Sequence, residues 1–481
     1  MSILAKNTSL FTASLVIQKA LAFVFFTYLS RKIGATGTGD YLFALSFATI
    51  FGFLIDWGWS SVMTREVASR TGEEDNGRIS LPDLYRQLFT WRLVMSLAVL
   101  AVINLLAWQF GYPLMRRQMV AIAAFITVFD SFSLYGYAIF RGKHNLRYES
   151  YFTAAYHAIV LTVGSILLLY TKDLRLLLLA LLTASFFNAL YVAVLLVRKA
   201  GVSLWPENPL AAVKYFWPMG WPFLLNGLFI KVYGSIDSIL LDHLGSTTQL
   251  GYYGVANKVT LALTFIPQAL AAAYYPAASA AWSNNRTALA PLFKQSVIYL
   301  GAISIPISVL VAFLAQPLIT LVYPGFTGSI LPLQILISSL FFLFVNFPIG
   351  YTLNACHKQR RNTLNLVVIV TMNIILNILL IPLFGAIGAA VSSLATNVLV
   401  VLLGWPLAKS LTGSSWMELL WPLGKILCAA IVAGIIALSV PVWWLAGMIG
   451  GVIYVLLLFI LRVVAVSDLI HWRKAVTGTE V

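Results

Sequence analysis

Charged residues and cysteines are scarce in this chain, and each scarcity removes a class of protein. Only 10% of the 481 residues are charged, whereas about a quarter is usual for a soluble globular protein. The two cysteines, Cys356 and Cys428, cannot form a disulfide framework and lack metal-site spacing. The five histidines are scattered, and no nucleotide-binding glycine loop is present. We therefore expect neither a soluble disulfide-rich or metal-binding domain nor a resident cofactor.

Apolar residues dominate instead, at 60% of the chain. Runs of about 20 apolar residues recur along the whole length, as membrane-spanning helices require. They predict an all-α integral membrane protein with about 14 transmembrane helices. The predicted spans are 8–30, 42–63, 88–108, 118–140, 151–170, 176–197, 219–243, 251–275, 293–322, 330–353, 363–383, 386–408, 420–440 and 443–464.

The formal charge of +15 is distributed unevenly between the two sides of the predicted membrane. With the N-terminus inside, the inner loops hold about three times as many Lys and Arg residues as the outer loops. This bias predicts a multi-pass membrane protein with both termini in the cytoplasm. The positive charge is thus an orientation signal, and we expect no binding of nucleic acid.

Two pairs of segments repeat along the chain. Residues 29–44 resemble 240–256, about 211 residues later, and residues 136–147 resemble 350–361 at an offset of about 214. We interpret the glycines of the first pair as residues of tight turns between helices. Each offset spans six helices, and an even number indicates a parallel repeat, as in transporters. The repeat predicts two six-helix lobes around a central cavity, followed by two additional C-terminal helices.

The domain borders follow from this repeat and from a proline-containing stretch between the halves. We predict an N-terminal lobe at 1–200, a cytoplasmic linker at 201–218, a C-terminal lobe at 219–411, and additional helices with a cytoplasmic tail at 412–481.

Four basic residues are candidates for binding a substrate. A charged side chain at mid-membrane costs from about 3 to more than 10 kcal/mol, so it persists only in a polar cavity or an ion pair. Lys19 and Lys231 lie near the middle of predicted helices 1 and 7, and Lys258 lies in the first turns of helix 8. A structural ion pair is the alternative for the first two lysines, and extension to the membrane surface is the alternative for Lys258. Arg65 could receive a phosphate or form an interfacial pair with Glu66.

Three acidic residues also lie within predicted spans: Asp56, Asp130 and Asp237. Each could pair with a lysine in a structural ion pair, take up a proton, or bind a sodium ion, so all three are candidates for coupling transport to H⁺ or Na⁺. The excess of buried lysines indicates a positively charged chamber, which suits an anionic headgroup such as a diphosphate. A site for cationic drugs would instead need unpaired acids and aromatic faces.

The chain resembles the polysaccharide-transporter branch of the multidrug/oligosaccharidyl-lipid/polysaccharide superfamily. The resemblance rests on 29–41, on Asp56 with Gly58, on 64–66, and on the residues between Asp237 and Pro276 that include Gly251, Tyr253 and Lys258. It implies flippases that move polyprenyl-diphosphate-linked oligosaccharides, such as O-antigen or exopolysaccharide units, by alternating access, often with ion counterflow.

The resemblance also implies where the cargo binds and which partners to expect. A cationic cavity would hold the diphosphate-sugar headgroup while the polyprenyl tail stays among membrane lipids. Lys19 and Lys231 take this role by their positions in helices 1 and 7. Other polysaccharide-assembly proteins are further candidate partners.

Two other functions remain as alternatives. A multidrug or cation antiporter of the same superfamily would depend on Asp56 or Asp237 and would confer resistance to cationic dyes. A membrane-bound ligase or glycosyltransferase would need a sizeable soluble loop with catalytic residues, and the predicted outer loops are very short. We therefore predict a transporter and not an enzyme.

Overall fold

The computed structural model describes residues 3–70, 79–440 and 442–461. These residues form seventeen α-helices and no β-strand, which confirms the predicted all-α architecture. The helices are α1 Ile3–Asp56, α2 Trp59–Ser69, α3 Leu81–Gln109, α4 Leu114–Gly142, α5 Arg147–Tyr170, α6 Leu174–Ala200, α7 Leu210–Leu244, α8 Thr247–Ala262, α9 Phe265–Asn284, α10 Leu289–Phe313, α11 Ala315–Val322, α12 Ile330–Ser338, α13 Leu340–Ala355, α14 Gln359–Phe384, α15 Ala386–Thr412, α16 Trp416–Leu438 and α17 Trp443–Ile460.

Twelve helical segments of the described chain are long and apolar enough to cross a membrane. One of them, Ala13–Asp56, contains two helices, because Gly34 interrupts α1 with φ 73° and ψ −178°. A shorter apolar helix, Trp444–Ile460, lies near the C-terminal end. When α1 is counted as two helices, these segments agree with the prediction of about fourteen spans.

The glycines of the repeated segments have two different roles. Gly34 adopts the left-handed backbone conformation that glycine tolerates best, and it forms the predicted turn. Gly39 and Gly251 lie inside helices α1 and α8, so interpreting them as turn residues is wrong. A Cβ atom at either position would overlap a neighbouring backbone, so both glycines permit close approach of two chain segments.

The chain forms two compact units that divide within α8, one up to Gly254 and the other from Val255 onward. In the first unit, α7 packs against α1, α2 and α3. This packing places α7 with the six helices that precede it, whereas the predicted borders follow the sequence repeat. The division into lobes at 1–200 and 219–411, with a linker at 201–218, stays a prediction.

Each unit has its own apolar core. In the first unit, Trp59, Tyr85 and Phe216 belong to a buried cluster that joins α2, α3, α4, α6 and α7. In the second unit, α16 packs against α10 and α17. Tyr454 of α17 donates a hydrogen bond to the Ala302 carbonyl of α10 at 2.7 Å. The two additional C-terminal helices are therefore integrated into the second unit.

A second helix break lies between α1 and α2, where Trp57 and Gly58 have φ values of 51° and 71°. The Gly58 backbone meets α7 so closely that an added Cβ would lie 2.5 to 2.8 Å from Cβ and backbone atoms of Phe223. Gly58 is thus needed both for its backbone conformation and for the packing of α7 on this break.

Replacing Gly58 by alanine should destabilise the protein more than the same change at Gly111. Gly111 has a similar φ of 67° but nothing within 4 Å of its added Cβ, so it carries the conformational cost without the collision. That shared cost is about 1–2 kcal/mol. We expect Gly58→Ala to lower the thermal unfolding temperature of the purified protein clearly further than Gly111→Ala. Equal shifts would contradict the close packing of α7.

Candidate functional site

All acidic side chains among the described residues interact with another protein group. Each has a hydrogen-bond or ion-pair partner, as expected for charges at membrane depth or near it. The engaged residues are Asp40, Asp56, Glu66, Asp83, Asp130, Glu149, Asp173, Glu207, Asp237, Asp242 and Glu418. Nine of these acids form ion pairs within the described residues. Eight are bound by an arginine, from the set Arg70, Arg86, Arg92, Arg116, Arg141 and Arg175, and Glu418 is bound by Lys294.

Asp56, which is partly buried, forms an ion pair with the buried Arg92 of α3. The Arg92 side chain also donates to Ser131 Oγ at 2.7 Å and to Ser60 Oγ at 3.2 Å, and its guanidinium lies over the Tyr135 ring. A structural ion pair with a lysine was one of the roles predicted for Asp56. The structure shows such an ion pair, but the partner is an arginine. The sequence analysis missed Arg92. The sequence did contain a signal for this pair, because Arg92 lies at the edge of one predicted span and Asp56 lies inside another.

Asp130 and Asp237 each accept a hydrogen bond from a hydroxyl group. The buried Ser185 hydroxyl donates to Asp130 Oδ1 at 2.7 Å, and the Tyr253 hydroxyl donates to Asp237 Oδ2 at 2.6 Å. Lys231 also interacts electrostatically with Asp130. Tyr253 belongs to the second repeated segment, so that segment supplies a direct partner for an acid of α7.

Lys19 and Lys231 differ from the acids, because neither has a hydrogen-bond partner or a carboxylate within 4.0 Å among the described residues. Lys19 is half-buried on α1, and Lys231 is exposed on α7. These two helices pack against each other within the first unit. The two lysines are separated by 212 residues, which is also the separation of the hydrogen-bonded pair Thr36 and Thr248.

The other two predicted basic residues lie in different surroundings. Arg65 is exposed on α2, beside the buried Glu66, which pairs with Arg70 at 3.0 Å and accepts from the Tyr215 hydroxyl at 3.1 Å. Lys258 is exposed on α8, in the second compact unit.

The arrangement can bind an anion without displacing a protein carboxylate. A lysine ammonium is a compact positive charge with three donors, and it binds phosphate oxygens well. Two such groups at equivalent repeat positions suit a ligand with two charged phosphates. Among the described residues, no group of three potential metal ligands exists.

Removing Arg92 should destabilise the protein unless Asp56 is neutralised at the same time. Arg92→Met leaves the partly buried Asp56 carboxylate without its counter-ion, and breaking a fully buried pair costs at most about 3–5 kcal/mol. We expect a large fall in the thermal unfolding temperature for Arg92→Met and substantial recovery in the double variant with Asp56→Asn. If the double variant is no more stable than Arg92→Met, the ion pair does not account for the role of Asp56.

The chain is similar in sequence to two curated proteins with informative names. It is 21% identical over 380 residues to the "Putative O-antigen transporter" of Escherichia coli (strain K12), covering 78% of this chain and 89% of that protein. It is 25% identical over 417 residues to the "Probable flippase AglR" of Haloferax volcanii, covering 83% of this chain and 82% of that protein.

Solved structures share the fold at low sequence identity. The lipid II flippase MurJ in an inward closed conformation superposes with a TM-score of 0.74 at 14% identity, covering 94% of this chain and 99% of that one. An inward-facing multidrug resistance MATE family transporter of the MOP superfamily superposes with a TM-score of 0.64 at 15% identity, covering 83% of this chain and 96% of that one. These likenesses establish the architecture.

Two family patterns match the sequence itself. The MatE pattern matches residues 222–383, about a third of the chain. The pattern of the family described as "Polysaccharide biosynthesis protein" matches residues 4–282, more than half of the chain and all the helices that carry Lys19, Asp130 and Lys231. The chain therefore belongs to the polysaccharide biosynthesis protein family.

Proposed function

We propose that this protein is a flippase for a polyprenyl-diphosphate-linked oligosaccharide, of the kind used for O-antigen or exopolysaccharide. It moves the headgroup from the inner to the outer leaflet by alternating access while the lipid tail stays in the membrane. The names of the similar E. coli and H. volcanii proteins, a transporter and a flippase, support this assignment. No covalent step is required, so the protein acts as a transporter.

The observation that carries the proposal is the pair of lysines Lys19 and Lys231, neither of which has a carboxylate within 4.0 Å among the described residues. Every described acid already has a partner, so these ammonium groups are stable at membrane depth only where water or an anionic ligand reaches them. A diphosphate supplies the missing negative charge. A cationic drug would add a third positive charge to the same surroundings.

We assign the coupling of transport to H⁺ or Na⁺ to Asp130 and Asp237. Both accept a hydrogen bond from a hydroxyl group, which a protonated carboxyl or a sodium-bound carboxylate can rearrange. Asp56 forms an ion pair with Arg92 and is therefore the least suited of the three predicted acids to bind a proton or a sodium ion. Arg65 and Lys258, which are both exposed, are assigned to early contacts with the anionic headgroup.

The location and partners of the protein follow from the same proposal. From the excess of Lys and Arg in alternate loops, we infer that both termini lie on the cytoplasmic side of the bacterial inner membrane. Glycosyltransferases that build the oligosaccharide would supply the cargo on that side, and other polysaccharide-assembly proteins would receive it outside.

Removing either lysine should stop export of the polysaccharide. In a bacterium that lacks the chromosomal copy, Lys19→Ala and Lys231→Ala should each reduce surface polysaccharide by about tenfold or more, because a hydrogen bond to a charged group contributes about 1.5–3 kcal/mol. Lys19→Arg and Lys231→Arg keep the charge and should retain a measurable part of the export.

The control is Lys143→Ala, which removes an exposed lysine from the turn after α4. Quantitative immunoblotting of membranes establishes that all variants insert in equal amounts. Normal surface polysaccharide in both alanine variants would overturn the proposed binding site.

The second candidate function is a multidrug or cation antiporter, which the MatE match to residues 222–383 favours. Expression in a drug-sensitive host separates the two candidates. The antiporter predicts resistance to cationic dyes that is lost in Asp237→Asn, whereas the flippase predicts unchanged dye sensitivity.

A further inference from the structure

The two repeated segments are in direct and reciprocal contact within the first unit. A Cβ atom added to Gly39 would lie 1.9 Å from the Thr247 carbonyl oxygen, and one added to Gly251 would lie 1.9 Å from the Ala35 carbonyl oxygen. Residues 35 and 247 are 212 positions apart, and so are residues 39 and 251. Each copy therefore presents a glycine to the same backbone position of the other copy, as in a two-fold symmetric interface.

Two further pairs lie where such a two-fold axis must pass. Thr36 and Thr248, related by the same separation of 212 residues, share a hydrogen bond of 2.8 Å between their hydroxyl groups. Leu42 and Gly254 have the same separation, and the Leu42 side chain covers Gly254 so closely that an added Cβ would lie 2.1 Å from it. The contact thus extends from an exposed pair of threonines to the buried Leu42.

Arg116 forms hydrogen bonds to both repeated segments. Arg116 Nη1 donates to Asp242 Oδ2 at 2.8 Å, and its Nη2 donates to Asp40 Oδ1 at 2.6 Å. Nη2 also donates to the Thr247 hydroxyl at 2.9 Å, and that hydroxyl donates to Asp242 Oδ1 at 2.9 Å. Asp40 belongs to the first repeated segment, whereas Asp242 and Thr247 belong to the second. Arg116 therefore joins both copies through charged hydrogen bonds.

We propose that these paired segments form a gate of the transport path, and that Arg116 is the latch that holds the gate closed. The inference rests on the proposed function for the direction of transport. Charge distribution in the loops places the contact at the outer face, so this structure has the outer gate closed. Arg116 is then a positioning residue, since it acts on the gate and not on the cargo.

The composition of the contact suits a joint that opens and closes. Glycine against backbone gives a close fit without interlocked side chains, so separation requires no repacking of large groups. The charges of the latch do not cancel, because the two carboxylates of Asp40 and Asp242 share the single guanidinium of Arg116. When the segments separate, the arginine can keep only one of the two partners, and the other becomes free to bind water or a cation.

A reversible cross-link tests whether the contact must open. In a protein carrying Cys356→Ser and Cys428→Ser, the pair Thr36→Cys and Thr248→Cys places two thiols at the position of the hydroxyl hydrogen bond. Oxidation to the disulfide should reduce export of the lipid-linked oligosaccharide about tenfold or more, and a reductant should restore it. Each single cysteine variant is the control. Complete cross-linking with undiminished export would overturn the proposal.

Labelling of a buried cysteine tests the latch without any transport measurement. Leu42→Cys lies within the closed contact, so a membrane-impermeant maleimide should react with it only when the gate opens. Arg116→Ala removes charged hydrogen bonds and should raise the labelling rate by about tenfold or more. Arg175→Ala, which breaks an ion pair with Asp173 instead, should leave the rate unchanged. An unchanged rate in Arg116→Ala would show that Arg116 is not the latch.

A glycine variant gives an independent route to the same answer. Gly39→Ala inserts a methyl group into the contact and should raise the labelling of Leu42→Cys, whereas Gly227→Ala, with nothing within 4 Å, should not. If none of the proteins exports the oligosaccharide, the proposed function fails. The labelling rates then decide the gate alone, because they report opening with any cargo or with none.

Discussion

An unpaired charge inside a membrane costs from about 3 to more than 10 kcal/mol, and this constraint explains most of the charged side chains in the structure. Asp56 is bound by Arg92, Glu66 by Arg70, and Asp40 with Asp242 by Arg116. The pairs of Arg92 and Arg116 also join helices that are distant in sequence, so contacts that satisfy these charges help to hold the first unit together. Lys19 and Lys231 are the exceptions, and the account of function depends on them.

The repeat has a physical meaning beyond evolutionary duplication. Two copies of one segment contact each other through reciprocal glycines, and the pair Thr36 and Thr248 marks the two-fold axis. The same separation of 212 residues relates Lys19 to Lys231, so the symmetry that shapes the gate also relates the two proposed headgroup contacts. The proposed gate is formed by α1 and α8, whereas the two lysines lie on α1 and α7. Helix α1 takes part in both, which gives a direct route for coupling the gate to the binding site.

The sequence predicted the membrane helices well, because hydrocarbon thickness fixes the length and apolarity of each span. It also predicts that Lys19 and Lys231 lie near the middle of two spans, from their positions within apolar runs alone, and their depth in the membrane stays a prediction. It did not show the Arg92 partner of Asp56 or the latch at Arg116, because both are packing relations between residues 36 to 126 positions apart. Gly39 and Gly251 were misread for a related reason: a turn is a local property of the chain, whereas a close approach of two backbones is not.

The central claim is that Lys19 and Lys231 together hold the diphosphate of the cargo. The most direct test is the affinity of the purified protein for polyprenyl diphosphate, compared with the uncharged polyprenol, by native mass spectrometry or thermophoresis. The account predicts selective binding of the diphosphate that weakens by about tenfold or more in the Lys19→Ala/Lys231→Ala double variant. Equal affinity of the wild-type protein and the double variant for the diphosphate would contradict it.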